Sequence, residues 1–174
     1  MADDTATAVD IVARTVWGEA RSCGRDGMHR VMNTMQNRAM HPSWWGRTLS
    51  DVCTAPWQYS CRNAGDPNLP KLLAVTMADP DFRQAMALAT LAVAGTLPDI
   101  TRGADSYYAL SMARPPYWTA RAVHTVSDGW HSFWRVGVST SSGDADSPNI
   151  GHHSPVAQMS ADDLNALEIA RLGI

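Results

Sequence analysis

The chain of 174 residues is very poor in glutamate, which occurs only as Glu19 and Glu168. It also lacks a Cys-x-x-Cys pair and a His-Glu-x-x-His segment, two common zinc-binding patterns. No Gly-x-Ser-x-Gly element and no phosphate-binding loop occurs, so neither serine-hydrolase nor nucleotide chemistry has support. Any chemistry that needs a glutamate must therefore use one of two side chains.

Long apolar runs and strong charge are also absent. No stretch approaches the roughly 18 apolar residues of a membrane span, and the start of the chain is acidic where an export signal would be basic. The net charge of −3 gives no reason to expect nucleic acid or an anionic membrane as partner. With 45% hydrophobic residues the chain can still bury one core, and nothing demands more than a monomer.

Cysteines and histidines do not indicate a metal site. Of the three cysteines, Cys53 and Cys61 could pair in an oxidising compartment, although reduced thiols are expected without an export signal. Two pairs of histidines lie close in sequence, His124 with His131 and His152 with His153. Neither pair has a zinc-binding spacing, so we expect no metal and no other cofactor.

The first helix predicted from the sequence carries Glu19. Val9, Val12 and Val16 recur at helical spacing, and Thr5 is the expected N-cap. Glu19 then falls on the edge of the buried stripe, beside Trp17, where its carboxyl group would be partly desolvated. A glutamate in this position is either a proton donor or a capping or ion-paired helix residue.

Four further features complete the helical part. A second helix fits residues 28–39 after a turn over 22–27, and His41-Pro42 ends it. Thr48 is expected to cap a short helix through Val52, and residues 55–70 are expected to form an ordered loop. Asp79-Pro80 begins a helix that Gly95 ends; this helix is apolar nearly all round and is expected to be the central one.

The remainder predicts a small antiparallel sheet and a tail. Short β-prone runs at 107–110, 122–126 and 133–138 are separated by turns. A polar linker follows, and a last helix is expected from Ser160. The prediction is thus a mainly helical α+β fold, with a catalytic domain over residues 1–138 and a linker with a C-terminal helix over 139–174.

Several motifs occur in the order known from one family. They are Trp-Gly-Glu-Ala-Arg within residues 13–22, Gly27-Met28, Asn37-Arg38, Pro-Ser-Trp-Trp-Gly at 42–46, Gln-Tyr-Ser-Cys at 58–61, Asp66-Pro67, Asp-Ile-Thr-Arg-Gly-Ala at 99–104, Tyr107-Tyr108, Pro-Tyr-Trp at 116–118 and Gly-Trp-His-Ser-Phe at 129–133. Over roughly residues 10–136 the chain resembles the SleB-type cell wall hydrolases, the spore-cortex-lytic family. It departs from the family pattern at Ser106, where a histidine is common, and at Arg62, where a tryptophan is usual.

The resemblance implies a lysozyme-like domain that cuts peptidoglycan glycan strands as a lytic transglycosylase, with Glu19 as the catalytic acid. A single carboxyl group suits that reaction, because the 6-hydroxyl of muramic acid attacks in place of water and Glu19 acts first as acid, then as base. A hydrolase would normally need a second carboxylate. Asp99 and Asp105 are the candidates by family position, although Asp99 is expected to serve the turn before Thr101.

The other expected site residues contact substrate. Seven tryptophans against two phenylalanines suggest that two or three indoles line a sugar-binding groove. Gln58, Ser60 and Thr101 would bind the N-acetyl group or orient Glu19, with loop bracing as the alternative for Gln58 and Thr101. Tyr107 and Tyr108 alternate across a strand, so one of them faces the cleft; we expect Tyr108 to do so. Trp118 and His131 are expected at the cleft rim.

The sequence thus predicts a peptidoglycan glycan-strand lyase that resembles a phage endolysin. Such an enzyme would stay in the host cytoplasm until release to the wall. Two alternatives remain: a muramidase that uses water, and a non-catalytic wall-binding or tail structural protein.

Overall fold

The computed structural model of the chain describes residues 2–43 and 45–136. Within these residues, eight helices and strands follow one another, linked by loops and by 3-10 turns at Arg21–Cys23, Ser60–Arg62 and Tyr117–Arg121. They are α1 (Ala2–Ala20), α2 (Gly24–Met40), α3 (Leu49–Thr54), α4 (Leu69–Ala74), α5 (Pro80–Val93), β1 (Ser106–Ala109), β2 (Val123–Ser127) and β3 (His131–Arg135). The predicted α+β class, mainly helical with a small antiparallel sheet, is confirmed.

Helix α1 is the centre of the helical body, because α2, α3, α4 and α5 all pack on it. Its apolar stripe, including Val12 and Val16, is fully buried. Thr15 is buried in the same helix, where its hydroxyl donates to the carbonyl of Ile11 at 2.7 Å and so avoids an unsatisfied polar group. The prediction that the helix from Pro80 is central was wrong: α5 packs on α1 and α2 and leaves Leu91 40% exposed.

Two predicted helix starts are confirmed by their capping bonds. The Thr48 hydroxyl accepts from Asp51 N, and the Asp51 carboxylate accepts from Thr48 N, which together form a capping box at α3. Asp79 accepts from Phe82 N at 2.8 Å at the start of α5. Gly95 has a φ of 71°, which glycine adopts without strain, and it follows the end of that helix as predicted.

Other helix boundaries differ from the prediction. Helix α1 already begins at Ala2, so Thr5 lies inside it and does not cap it. Helix α2 begins at Gly24, within the expected turn. The expected loop over 55–70 contains a 3-10 turn and the start of α4. Pro70 lies in the first turn of α4, where its missing N–H removes no helical hydrogen bond. This proline, which contributed to the prediction of a loop, is therefore part of a helix.

The sheet has the order β1-β3-β2 and is antiparallel throughout. Tyr107 pairs with Phe133 and Tyr108 with Ser132, so neighbouring residues of β1 point to opposite faces. The three predicted strands are confirmed within a few residues. Residues 137–138 of the third predicted run, and the linker and helix predicted for 139–174, lie outside the described residues.

The cysteines are all free thiols. Cys53 and Cys61 are buried separately: Cys53 Sγ contacts Met35 Sδ at 3.7 Å, and Cys61 Sγ contacts the carbonyl of Thr15 at 3.8 Å. Burial raises the pKa of the Cys53 thiol to about 12, which keeps it protonated and unreactive. Among the helices of residues 2–43 and 45–136, none combines the length and hydropathy needed to cross a membrane.

Asp79 joins α5 to α1, because it also accepts from Trp17 Nε1 at 3.2 Å. We expect Asp79→Ala to lower the free energy of unfolding by about 1–2 kcal/mol through loss of the N-cap, as measured by denaturant titration. Asp79→Asn keeps a side-chain oxygen at the cap and should lose less than half as much. Equal stability of Asp79→Ala and the wild type would contradict this role.

Candidate active site

Glu19 lies half-buried in the last turn of α1, where the helix meets the sheet. The face of the sheet that it meets carries Tyr107 and Phe133, and we call it the inner face. Its Oε2 accepts a hydrogen bond from the hydroxyl of Tyr107 at 2.8 Å. The two residues are 88 positions apart in the sequence, so this contact exists only in the folded chain. The carboxyl group is thereby held in one orientation at the boundary between helical body and sheet.

His131 stands beside Tyr107 on the same face of the sheet. The two ring centroids are 5.1 Å apart, edge to face, and Phe133 packs against both rings. Burial lowers the pKa of His131, while the nearby carboxylates of Asp128 and Glu19 act in the opposite direction. At neutral pH the imidazole is therefore uncharged, and it adds no fixed positive charge beside the Glu19 carboxyl group.

Asp128 is a carboxylate of this region that the sequence analysis did not single out. It lies in the turn between β2 and β3, where its Oδ1 accepts from the backbone N–H groups of Trp130 and His131. Arg30 of α2 lies 3.8 Å from its other oxygen, and that oxygen is buried without a hydrogen bond. A buried acceptor of this kind, close to His131, is a recognisable site signal, but it depends on tertiary contacts.

The ring of Trp17 does not lie beside Glu19, contrary to expectation. It packs edge-on against Phe82 of α5, with the Arg21 guanidinium 4.4 Å above it. Residues two apart on a helix point to nearly opposite sides, so Trp17 and Glu19 diverge. Glu19 instead contacts the sheet through the Tyr107 hydroxyl, and the turn that contains Ser60 packs on the same helix.

Gly18 lets that turn approach α1 closely. A Cβ atom at this position would lie 2.8 Å from Cys61 Sγ and 3.0 Å from a Leu72 methyl group. Arg62 fastens the same turn to α1 by donating to the Thr15 hydroxyl and to the Ile11 carbonyl, both at 2.6 Å. The departure from the family tryptophan at position 62 thus has a structural role, and Ser60 is buried in the turn it secures.

Arg38, at the end of α2, holds the loop that carries Gln58. Its guanidinium donates to Gln58 Oε1 at 2.9 Å and to the carbonyl of Asp105 at 2.6 Å, just before β1. It also stacks over the rings of Trp45 and Tyr59, each with its centroid 5.7 Å away. One arginine therefore fixes both the Gln58 loop and the entry to the strand of Tyr107.

Asn37, the preceding residue, holds the loop that contains Thr101. Its side-chain amide donates to the carbonyl of Ala104 at 2.8 Å and to the Thr101 hydroxyl at 3.4 Å. Thr101 is fully buried, and its hydroxyl donates to Asp99 at 2.6 Å. These contacts are those of a residue that braces a loop, the alternative left open for Thr101.

The two aspartates considered as second carboxylates are both bound into this region. Asp99 accepts from the backbone N–H groups of Thr101 and Gly103 at 2.7 and 2.6 Å. Burial opposes ionisation, but the hydrogen bonds from Thr101 and Gly103 prevail and lower the pKa of Asp99. Asp105 is buried and accepts from Val136 N at 2.9 Å. Both residues organise backbone, and Asp99 serves the turn before Thr101 as expected.

Tyr108 and Trp118 lie on the other face of the sheet, so the expectation that Tyr108 faces the cleft with Glu19 was wrong. Tyr108 stacks with Trp134 at 6.4 Å and contacts Trp118 edge-on at 6.1 Å. Alternation along β1 allows one tyrosine to reach Glu19, and only the packing of the sheet on the helices decides that it is Tyr107. Ser106 shares the face of Tyr108, so the position where the family has a histidine also points away from Glu19.

His124 and His131 lie on opposite faces of the sheet. Within residues 2–43 and 45–136, no three His, Cys, Asp or Glu side chains come together as possible metal ligands. His124 contacts Trp134 on the outer face, whereas His131 lies on the inner face with Tyr107.

The burial of His131 predicts a pH effect on stability. Its folded-state pKa lies below the ordinary value of 6.5, so the unfolded chain takes up a proton first as the pH falls. The free energy of unfolding should therefore decrease as the pH drops below about 6.5. His131→Gln should flatten this dependence in denaturant titrations between pH 7 and 5. An unchanged slope in His131→Gln would contradict the assignment.

Comparison with known proteins identifies the family of the chain. A family model described as cell wall hydrolase matches residues 23–134, which is more than half of the chain. The match covers α2 with Asn37 and Arg38, the loops they hold and nearly all of the sheet, and Glu19 lies just before it. No curated protein and no solved structure matches the chain. The chain therefore belongs to the SleB-type cell wall hydrolase family, whose substrate is peptidoglycan.

Proposed function

We propose that this enzyme cleaves peptidoglycan glycan strands between N-acetylmuramic acid and N-acetylglucosamine as a lytic transglycosylase, with Glu19 as its single acid and base. The observation that carries the proposal is the Glu19 carboxyl group, held by Tyr107 where the helical body meets the sheet. Asp99 and Asp105, the two other carboxylates considered, are bound to backbone N–H groups. A reaction that needs only one carboxyl group fits this arrangement.

In the proposed reaction, Glu19 first donates its proton to the oxygen that links muramic acid C1 to C4 of the next sugar. The C1–O bond breaks, and the proton stays on the departing 4-hydroxyl group. Glu19, now a carboxylate, removes the proton from the 6-hydroxyl of the same muramic acid. That oxygen bonds to C1, so a 1,6-anhydro ring forms, no water is consumed and Glu19 is protonated again.

Tyr107 and His131 act as positioning residues in this scheme. The Tyr107 hydroxyl donates to the Glu19 carboxyl group and restricts its orientation. A restricted orientation lowers the entropic cost of reaching the reactive geometry. The uncharged His131 packs edge-on against the Tyr107 ring and limits its movement. Gln58, fixed by Arg38, and Ser60, buried in the turn beside α1, are the residues we propose to contact the N-acetyl group.

A water-using muramidase is the second candidate, and Asp128 is the observation that favours it. Asp128 Oδ1 lies 4.0 Å from His131 Nδ1, and His131 packs against the Tyr107 ring, whose hydroxyl donates to Glu19. In a hydrolase, Asp128 would activate water or stabilise positive charge on the sugar while Glu19 donates the proton. The two mechanisms leave different ends on the muramic acid.

We further propose that the enzyme lyses a phage host from within. Three free thiols, two of them in the core, are compatible with folding in a reducing cytoplasm. Expression in a bacterial cytoplasm should then cause lysis only when the inner membrane is permeabilised by a second agent. Lysis without permeabilisation would count against this setting.

Glu19→Gln is expected to reduce muropeptide release from purified peptidoglycan by at least about 100-fold, the usual loss when a general acid is removed. Glu168→Gln removes the only other glutamate and is the matched control, expected to retain activity. Mass spectrometry of the products identifies the chemistry. Anhydromuramyl ends made by the wild type would support the lyase.

Other product patterns select among the alternatives. Reducing muramic ends from the wild type, together with loss of activity in Asp128→Asn, would favour the muramidase. No release by wild type or Glu19→Gln, with sacculus binding intact, would favour a non-catalytic wall-binding protein.

Tyr107→Phe should lower kcat roughly tenfold with little change in KM, because a hydrogen bond to a charged group orients Glu19 without binding substrate. Its pH profile of kcat should also shift, which a purely structural effect would not produce. Tyr117→Phe removes a hydroxyl from an exposed tyrosine and serves as the control. Equal pH profiles in Tyr107→Phe and the wild type would rule out the positioning role.

A further inference from the structure

The sheet carries an aromatic cluster on the face opposite Glu19. Trp134 of β3 lies at its centre, with ring centroids 6.4 Å from Tyr108, 6.3 Å from Trp118 and 5.0 Å from His124. We call these four residues the outer aromatic face. They come from β1, β2, β3 and the 3-10 turn Tyr117–Arg121, so the folded sheet assembles the face from separate segments.

This face remains partly accessible, and on the inner face Tyr107 is half-buried as well. Phe133 is fully buried and His131 is 7% exposed on the inner face. On the outer face, Tyr108, Trp118 and Trp134 are only half-buried and His124 is exposed. Rings that stay in contact with solvent on one side offer flat apolar surface to a ligand.

Neutral hydrogen-bonding groups surround the rings. Trp134 Nε1 donates to the Ser132 hydroxyl at 2.8 Å, and Ser127 hydrogen-bonds to both Ser132 and His124, at 3.3 and 3.0 Å. This network fixes the orientation of the central indole, with the Ser132 hydroxyl buried beneath it and Ser127 exposed at the edge. Flat apolar rings next to neutral polar groups suit a pyranose, which has an apolar C–H face and a hydroxyl rim.

The charge around the face complements an anionic polymer. Residues 106–127, which contribute three of the four members of the face, contain two arginines and no aspartate or glutamate, in a chain of net charge −3. Arg121 is exposed and follows Trp118 by three positions in the same 3-10 turn. Residues at this spacing in a 3-10 helix lie one above the other, so the two side chains leave the turn on the same side.

We propose that the outer aromatic face is a second binding site for a peptidoglycan strand, separate from the site of Glu19, in which sugar rings stack on the aromatic side chains and Arg121 pairs with a carboxylate of the lactyl or peptide groups. This site retains the enzyme on the wall while another segment is cleaved on the inner side. The inference rests on the peptidoglycan substrate of the proposed function but not on the role of Glu19.

The test is a binding assay of the full chain on insoluble purified sacculi, in a Glu19→Gln background that limits digestion. Trp118→Ala and, separately, Arg121→Glu should each weaken binding about tenfold, as expected when a principal contact of an interface is lost. Trp118→Phe retains an aromatic ring and should bind within about threefold of the parent. Arg25→Glu makes the same charge change at an exposed position of α2 and is the matched control.

Activity on a short soluble glycan separates this site from the catalytic one. In the Glu19 wild-type background, Trp118→Ala should cleave a soluble tetrasaccharide at the parental rate and lose activity only on sacculi. Parental sacculus binding by both Trp118→Ala and Arg121→Glu would overturn the proposal, as would equal losses in Arg121→Glu and Arg25→Glu. If Trp118→Ala lowers Tm, Arg121→Glu remains as the independent test. Failure of Glu19 as the acid would show in product release and leave the binding comparison intact.

Discussion

The burial of α1 is the constraint on which the rest of the structure depends. Four helices pack on it, and its apolar stripe, including Val12, Val16 and Ala20, is completely removed from solvent. Rotating α1 about its own axis by about 100°, the angle between successive residues of a helix, would bring polar side chains into the core. The loss of apolar burial strongly opposes such a rotation. The rotation of the helix therefore fixes the direction of Glu19, which emerges at the edge of the core toward the sheet.

The loops around Glu19 obtain their rigidity from side chains of α2. Asn37 supplies hydrogen bonds to the loop over 99–104, and Arg38 supplies them to Gln58 and to the start of β1. Loops that lack their own ladder of backbone hydrogen bonds need such partners to keep one conformation. Asn37 and Arg38, two adjacent residues of a packed helix, thus hold the loops on both sides of the site in place. The Asn-Arg motif has no reactive group, but the geometry of the site depends on it.

Alternation of side chains along the strands gives the two faces of the sheet different sets of residues. Tyr107 and His131 point to the helical body and the carboxyl group, whereas Tyr108 and Trp134 point away from it. Burial keeps the inner side compact and makes His131 uncharged, while partial exposure leaves the outer rings able to contact a ligand. In our proposals, one face of this sheet serves the reaction and the other retains the enzyme on the polymer.

Local patterns in the sequence determined the class of the fold, the starts of α3 and α5, the three short strands and the candidate acid at Glu19, because caps, turns and periodicity act over a few residues. Ordered motifs were also enough to identify the family. The tertiary structure alone decided that α1 rather than α5 is central, that Tyr107 rather than Tyr108 reaches Glu19, and that Trp17 turns away. It also placed Arg30 of α2 beside Asp128 and bound Asp105 to the backbone N–H of Val136. These outcomes depend on which faces of distant elements pack together, and no short stretch of sequence contains that information.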